Sequence, residues 1–590
     1  MTTVSDTAGP IDPPRAPATP RPAPRLWLPL ALLGLYWAYV AVSSYVVDML
    51  TFTRFMSQTA ALLGVALIFL VWWSFNSRIA GRDRLLVLAA AIVSPVLAKT
   101  LSDKTLGPIP IFNGLPILFT LWALWLFTAR KAPPRVWRFG LLLVIFLSTG
   151  IFTLLRMEGL RGAGAADLRW RWSATPEERY LARSAPPPSA AAATQPAALT
   201  LRAGDWPGFR GPNRDAVVRG VSIAATNWSK TPPPQLWRRP IGPGWSSMVI
   251  VDGRVFTQEQ RGGEESVVCL NADTGAEIWS HKERGRFWDA LSSAGPRATP
   301  TFADGRIYAQ GATGTLQCLD AASGRKIWSR DILTDSGAKL PQWGFASSPL
   351  VSDGIVFVYS SGESGKALLA YRADTGDLAW TADAGVHSYS SPHLANIAGR
   401  QQVLFISDKG LIAVEPHTGK TAWEYRSPGT PPRSCQPSLI SETQLLVPLG
   451  MEAATDLIEV APAGDAYAAT KRWTSRNLRP SFNDFVVHDG HIYGFDASAF
   501  CCVDLKTGNR NWRKGNYGTG QVLLLADQPM LLVLSDQGKV ALVEPKPDRF
   551  AEVGQFEAIS GKTWNHPAIA QGRLYVRNAE EIACYDLAPR

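Results

Sequence analysis

Chemistry needs reactive or hydrogen-bonding side chains gathered at one place, and in this 590-residue chain the side chains that recur at a common place are mostly small and polar. Asp252-Gly253, Asp304-Gly305, Asp353-Gly354 and Asp489-Gly490 mark repeated strand pairs, because an acceptor-rich residue followed by glycine suits the positive-φ positions of a tight hairpin. Aligned on these turns, Ser247, Thr299, Ser348, Ser391, Gln436, Asp484, Gln521 and His566 each begin an innermost strand and would ring one mouth of a channel. Trp245, Arg297, Trp343, His387, Arg479, Asn483, Trp564 and Asn565 fall close by. Asp484 could act as a base or bind a hard cation, Asn483 could add an amide oxygen, and Arg297 could hold an anion. Trp343 and Trp564 could supply flat apolar surface. The plainer alternative is that polar residues start these strands because they border a water-filled channel.

A repeat must position them. Five copies share a turn, a glycine and a tryptophan four residues later: Asp273-Thr-Gly275 with Trp279, Ala322-Ser-Gly324 with Trp328, Asp374-Thr-Gly376 with Trp380, His417-Thr-Gly419 with Trp423, and Lys506-Thr-Gly508 with Trp512. Each reads as a strand such as Val267 to Leu270, a tight turn, and a second strand carrying the indole. With the Asp-Gly hairpin upstream, each unit is a four-stranded meander. Along Trp237, Trp279, Trp328, Trp380, Trp423, Trp473, Trp512 and Phe556 the spacing is 39 to 52 residues, which suits one blade of a β-propeller per step. Trp473 lacks a nearby Thr-Gly, and Phe556 replaces tryptophan. The last unit, Thr563 to Leu587, ends without a tryptophan strand, so Pro234 to Arg239 with Trp237 is expected to supply it and close an eight-bladed ring. Closure would remove exposed sheet edges.

Charge and hydropathy divide the chain. Residues 1–204 hold 20 Lys+Arg against 9 Asp+Glu, and the remainder 39 against 40. The basic excess therefore lies outside the repeats, which argues against a nucleic-acid partner. Leu26 to Val47, Thr59 to Phe75, Leu85 to Ala98, Ile109 to Thr128 and Phe139 to Leu155 are apolar enough to consider as spans of a lipid bilayer; the third is short and contains Pro95. A signal peptide would explain the first but not the other four. Arginine-rich loops before the first, between the second and third, and between the fourth and fifth spans place the N-terminus in the cytoplasm. Five spans then put the repeats beyond the membrane, which in a bacterial inner membrane is the periplasm. The expected domains are a cytoplasmic tail 1–25, a five-helix transmembrane domain 26–156, a linker 157–204 rich in Pro and Ala (Ala185 to Thr194), and the propeller 205–590.

The quoted repeat, Ala/Pro-x-Thr/Ser-Gly-x-x-x-Trp, resembles that of the pyrroloquinoline-quinone-type (PQQ-like) propeller superfamily, over roughly Gly204 to Arg590. The resemblance implies that Trp237, Trp279, Trp328, Trp380, Trp423, Trp473 and Trp512 dock between neighbouring blades. It also implies one of two roles. In quinoprotein dehydrogenases PQQ and calcium sit in the central funnel with an Asp as base; the outer-membrane assembly propeller carries no cofactor and binds proteins. Five helices before such a propeller resemble membrane-bound glucose dehydrogenase, whose propeller is longer because inter-blade insertions build a cofactor cap. Here eight minimal blades use nearly all the residues after Gly204. Arg297, Trp343, Asn483, Asp484 and Trp564 have types that PQQ and calcium would want. No segment matches the dehydrogenases' catalytic Asp or calcium ligands.

Cys501-Cys502 raises the vicinal disulfide found beside the quinone in several alcohol and methanol dehydrogenases. Cys502 precedes Gly508 by six residues, as Cys269 precedes Gly275 and Cys318 precedes Gly324, so it holds a repeat position on a strand, and Cys584 matches it. Adjacent strand residues face opposite ways, which favours buried thiols. The seven histidines show no metal-ligand spacing, and no phosphate loop or Gly-x-Ser-x-Gly elbow is present. The sequence thus favours a membrane-anchored periplasmic module that binds a protein or small molecule, with a PQQ-dependent dehydrogenase acting on an alcohol or sugar as the alternative. The spans carry almost no internal charge to form a transport path.

Overall fold

A computed structural model describes residues 24–47, 51–107, 109–160, 166–183, 198–223, 227–426, 435–450, 453–464 and 466–588. Nearly all of the expected cytoplasmic tail and the whole Ala185 to Thr194 run lie outside these residues. The chain forms two compact units, residues 1–157 with 169–171, and residues 158–168 with 172–590.

The described residues of the first unit form five α-helices: α1 (Trp27–Tyr45), α2 (Thr51–Phe75), α3 (Gly81–Leu101), α4 (Ile109–Thr128) and α5 (Pro134–Gly150). All five are long and apolar enough to cross a membrane. Three begin ahead of their apolar cores. α2 starts at Thr51 because its polar first turns still make helix contacts, Gln58 donating to Ser43 and Ser44 of α1 at 2.9 and 3.1 Å. α3 runs through Pro95 and is 21 residues long, so the span that looked short is full length. α5 starts at Pro134, a residue suited to a first helical turn. Inside the unit Phe69, Trp73, Phe119 and Trp122 pack together, Trp73 meeting Trp122 edge-on at 4.8 Å, and Asp83 of α3 pairs with Arg138 of α5 at 2.7 Å.

The second unit begins inside the stretch expected to be linker, and part of that stretch is structured. α6 (Pro176–Arg183) holds Glu177 against Arg286 at 2.8 Å and Tyr180 against the buried Glu259 at 2.8 Å. An amphipathic turn with two such contacts is anchored despite its Pro/Ala-rich neighbours.

Eight antiparallel sheets follow, seven of four strands and one of five. In chain order their first three strands are, for blade A, Val249–Val251, Arg254–Arg261 and Glu264–Asn271; for B, Thr301–Ala303, Arg306–Gln310 and Thr315–Asp320; for C, Leu350–Ser352, Ile355–Tyr359 and Leu368–Arg372; for D, His393–Ile397, Arg400–Ser407 and Gly410–Val414. Blade E has Ser438–Leu439, Gln444–Pro448 and Thr455–Ala463; F has Val486–His488, His491–Asp496 and Ala499–Asp504; G has Gln521–Leu525, Met530–Leu534 and Lys539–Glu544; H has Ala568–Ala570, Arg573–Arg577 and Glu581–Asp586. The fourth strand of each carries the repeat aromatic, and in blade H it is Gln235–Pro240, with Trp237 opposite Cys584. Blade G gains a fifth strand, Val217–Val218, parallel to Gln521–Leu525.

The glycine–tryptophan spacing has a direct cause. Each indole lies over the turn glycine of the next blade, so a Cβ on Gly275, Gly324, Gly376 or Gly419 would fall 2.4 to 2.7 Å from the ring of Trp237, Trp279, Trp328 or Trp380. These glycines also hold φ of +70° to +77°. Each indole N–H then donates to a carbonyl in that turn: Trp237 to Ala272, Trp279 to Ala321, Trp328 to Ala373 and Trp380 to Pro416, at 2.9 to 3.2 Å. Trp473 and Trp512 do the same with Leu505 and Lys546. Trp423 differs. Blade E replaces the short Thr-Gly turn with a long hairpin, and Trp423 donates to Gln402 of its own blade at 2.7 Å.

Candidate functional site

The starts of the innermost strands converge. Ser247, Thr299, Ser348, Ser391, Gln436, Asp484, Gln521 and His566 all line one cavity of about 340 Å³, with Arg297, Trp245, Trp343 and Trp564. Of the remaining candidates, Asn483 is buried but outside the wall, its Oδ1 accepting from Ser481 N at 2.8 Å. Asn565 ties blade H to blade A through Gly244 and Ser246 carbonyls at 3.1 and 2.8 Å. Arg479 is bound to Asp496, and His387 packs beside Tyr389.

The small ring residues are almost wholly buried and lace blade to blade. Ser247 N donates to Thr299 Oγ1 (3.0 Å), Thr299 N to Ser348 Oγ (2.9 Å) and Ser348 N to Ser391 Oγ (2.9 Å). Ser247 Oγ donates to His566 O at 2.6 Å, joining blade A to blade H. A hydroxyl is the shortest side chain that can satisfy a neighbour's orphan N–H here, which explains the recurrence of Ser and Thr.

Nor is the channel open below them. Residues 205–218 cross it, from Trp206 bridged to Ile250 of blade A to Val217 paired with Leu524 of blade G. Two fully buried arginines hang from this crossing. Arg210 Nε lies 2.8 Å from Asp484 Oδ2, and its Nη2 donates to Phe485 O at 3.1 Å. Arg214 donates to the carbonyls of Ser348, Pro349 and Pro392, and burial pulls its guanidinium down to about 9. Both have positive φ, 62° and 55°, a strain tolerated because the channel wall over-determines their position. Burial raises the Asp484 pKa and Arg210 opposes the rise. His566 sits 3.5 Å from Asp484; burial and the Arg210 charge press its pKa down to about 3, and His393 follows for the same reasons, with Arg214 adding to the effect.

Above the plug the wall is aromatic. Trp564 packs against Trp245 at 5.3 Å and Phe482 at 4.8 Å, and Trp343 against Tyr389 at 5.0 Å. Lys562 Nζ lies 3.7 Å from the Trp564 ring centre and 4.9 Å from that of Trp245, within cation–π range. A small hairpin, Trp288–Asp289 paired with Ser293–Ala294, brings Leu291 and Ser292 to the rim, and Arg297 pairs with Asp289 at 2.5 Å. Sequence reasoning did not find Arg210, Arg214, Phe209, Tyr389, Phe482 or Lys562. The one signal available was the pair of arginines in an otherwise Gly/Pro-rich loop ahead of the repeats.

All six cysteines are free and buried. Cys269, Cys318, Cys502 and Cys584 sit opposite Trp279, Trp328, Trp512 and Trp237 across their strands, a small side chain making room for a large one.

The family model described as "Outer membrane protein assembly factor BamB" matches residues 231–342 and 263–514. The repeat region of the chain, residues 231–514, is thus similar to the PQQ-like repeat family. No curated protein matches it. Solved structures similar to this PQQ-like propeller include BamB from Moraxella catarrhalis, at 13% identity over 60% of this chain and 99% of that one with a TM-score of 0.44. The quinohemoprotein alcohol dehydrogenase ADHIIG from Pseudomonas putida HK5 matches at 15% identity over 68% and 85%, with a TM-score of 0.49. A quinohemoprotein alcohol dehydrogenase from Comamonas testosteroni matches at 13% identity over 66% and 81%, with a TM-score of 0.38.

PQQ with calcium can be tested against the residues of this PQQ-like propeller. Calcium takes six to eight oxygen ligands, carboxylates foremost. Among the described residues Asp484 is the one carboxylate in the cavity wall, and Arg210 already holds it; no cluster of three or more acidic, His or Cys side chains could hold a metal. Calcium does not fit this donor set.

Proposed function

We propose that this chain is a membrane-anchored binding module whose propeller stands in the periplasm and receives a small molecule or a loop of a partner protein in the aromatic mouth of its channel. The observation that carries this reading is the Arg210–Asp484 pair. It turns the one acid among the described residues of the cavity wall into the counter-ion of a structural plug, leaving aromatic walls and hydrogen-bonding groups whose use is recognition. The arginine excess in alternate loops between the spans supports the orientation. The test uses the full-length protein in detergent, incubated with PQQ and calcium and then desalted. The expected result is no retained cofactor absorbance and no dye reduction with alcohols or sugars; retention with turnover would establish a dehydrogenase instead.

A further inference from the structure

The ring around the mouth is chemically lopsided. On blades A to D the hydroxyls of Ser247, Thr299, Ser348 and Ser391 are all engaged by neighbouring blades. On blades E, G and H the larger ring residues spend their N–H groups on main-chain carbonyls. Gln436 Nε2 donates to Ser391 O and Pro392 O (3.2 Å each), Gln521 Nε2 to Trp564 O (3.2 Å), and His566 Nδ1 to Pro567 O (2.8 Å). Those bonds fix each group's orientation and leave Gln436 Oε1 and Gln521 Oε1 buried with no hydrogen-bond partner, and His566 Nε2 buried with nothing nearer than Asp484 Oδ2 at 3.5 Å, on residues only 2 to 4% exposed. His566 is neutral at any physiological pH, so with Nδ1 as its donor, Nε2 presents a lone pair.

Buried acceptors are rarely left unanswered, because each costs the desolvation of a polar group. Three in the wall of one cavity ask for donors. Charge decides which kind. Asp484 is answered by Arg210 and Asp289 by Arg297, while Lys562 at the rim makes no ion pair among the described residues. The wall therefore offers three acceptors and one indole donor, Trp564 Nε1, with no spare negative charge to draw a cationic donor.

We infer that the cavity accepts a ligand bearing a neutral hydrogen-bond-donor group, an amide or a hydroxyl, which points at Gln436, Gln521 and His566 while an aromatic or apolar body lies among Trp245, Trp343 and Trp564. The inference rests on the cavity being the binding site proposed above. Four probes share one body and differ in the head: benzamide, benzyl alcohol, benzamidine and benzoate. Titrated by saturation-transfer NMR against the full-length protein in lipid nanodiscs, with empty nanodiscs as the blank, benzamide or benzyl alcohol is expected to bind about tenfold tighter than benzoate and benzamidine. Comparison of the two neutral probes separates amide from hydroxyl. Gln521→Met and Gln436→Met, checked for an unchanged thermal midpoint, should reduce that preference to within about threefold. A preference for benzoate or benzamidine overturns the inference. Equal binding of all four overturns it while leaving the cavity a binding site, and no binding by any probe removes both.

Discussion

Arg210 and Asp484 would each be an expensive burial alone, and together they tie the loop that crosses the channel to its wall. Removing one partner of such a pair costs about 3–5 kcal/mol, because a charge is stranded, whereas replacing both by apolar residues of similar size is often neutral. Arg210→Met should therefore lower the urea midpoint of the propeller strongly, and Arg210→Met with Asp484→Leu should recover most of the loss. A catalytic Asp484 would instead leave stability nearly unchanged on Asp484→Asn. The neutral histidines give a second residue-level prediction. His393 and His566 have folded pKa values near 3 against 6.5 unfolded, so the unfolded chain binds protons that the folded chain refuses. Stability is complete above about pH 6.5 and is lost as pH falls toward 3, by roughly 1.4 kcal/mol per pH unit for each histidine. Urea unfolding at pH 7 and pH 5 should differ by about 4 kcal/mol, and His393→Gln with His566→Gln should flatten that difference.

A blade is held to its neighbour by an indole that needs a glycine beneath it. Gly376 and Gly354 separate the two demands on such a glycine, since both have positive φ, +77° and +73°, but only Gly376 faces an indole. Gly354→Ala should cost about 1–2 kcal/mol of backbone strain, and Gly376→Ala clearly more, approaching the roughly 3–5 kcal/mol expected of Trp328→Ala. Equal losses at the two glycines would mean that the indole contact carries no energy. This level of the fold was legible in the sequence because both partners recur in every copy of one short motif, the indole of one copy meeting the glycine of the next. Where the motif lapses the structure departs from it: Trp423 turns to its own blade because blade E lacks the Thr-Gly turn, and Phe556, with no indole N–H to place, packs edge-on against Trp228 and Tyr585 at 5.7 and 5.1 Å. The ring positions were legible too, but not their use, since a serine bordering water and a serine capping a neighbour's N–H look alike in one dimension. The plug was hidden for a different reason: Arg210 and its acceptor Phe485 are 275 residues apart, and nothing local in Gly204 to Asp215 announces a partner at that distance.

The whole chain joins five bilayer-length helices to an eight-bladed propeller. All six native cysteines are buried, so introduced surface cysteines can report which side of the membrane each part occupies. With an impermeant maleimide on intact spheroplasts, Ser323→Cys in a blade turn should label and Ser77→Cys between α2 and α3 should not, until the membrane is broken. The opposite pattern would reverse the orientation. The central claim is that Asp484 serves the plug and leaves the described wall of this funnel without a cation site. Equilibrium dialysis of the purified full-length protein against radioactive calcium, in parallel with Asp484→Asn, tests it most directly. Both proteins should bind the same small number of ions; one ion per chain held by the native protein and lost with Asp484→Asn would contradict the account.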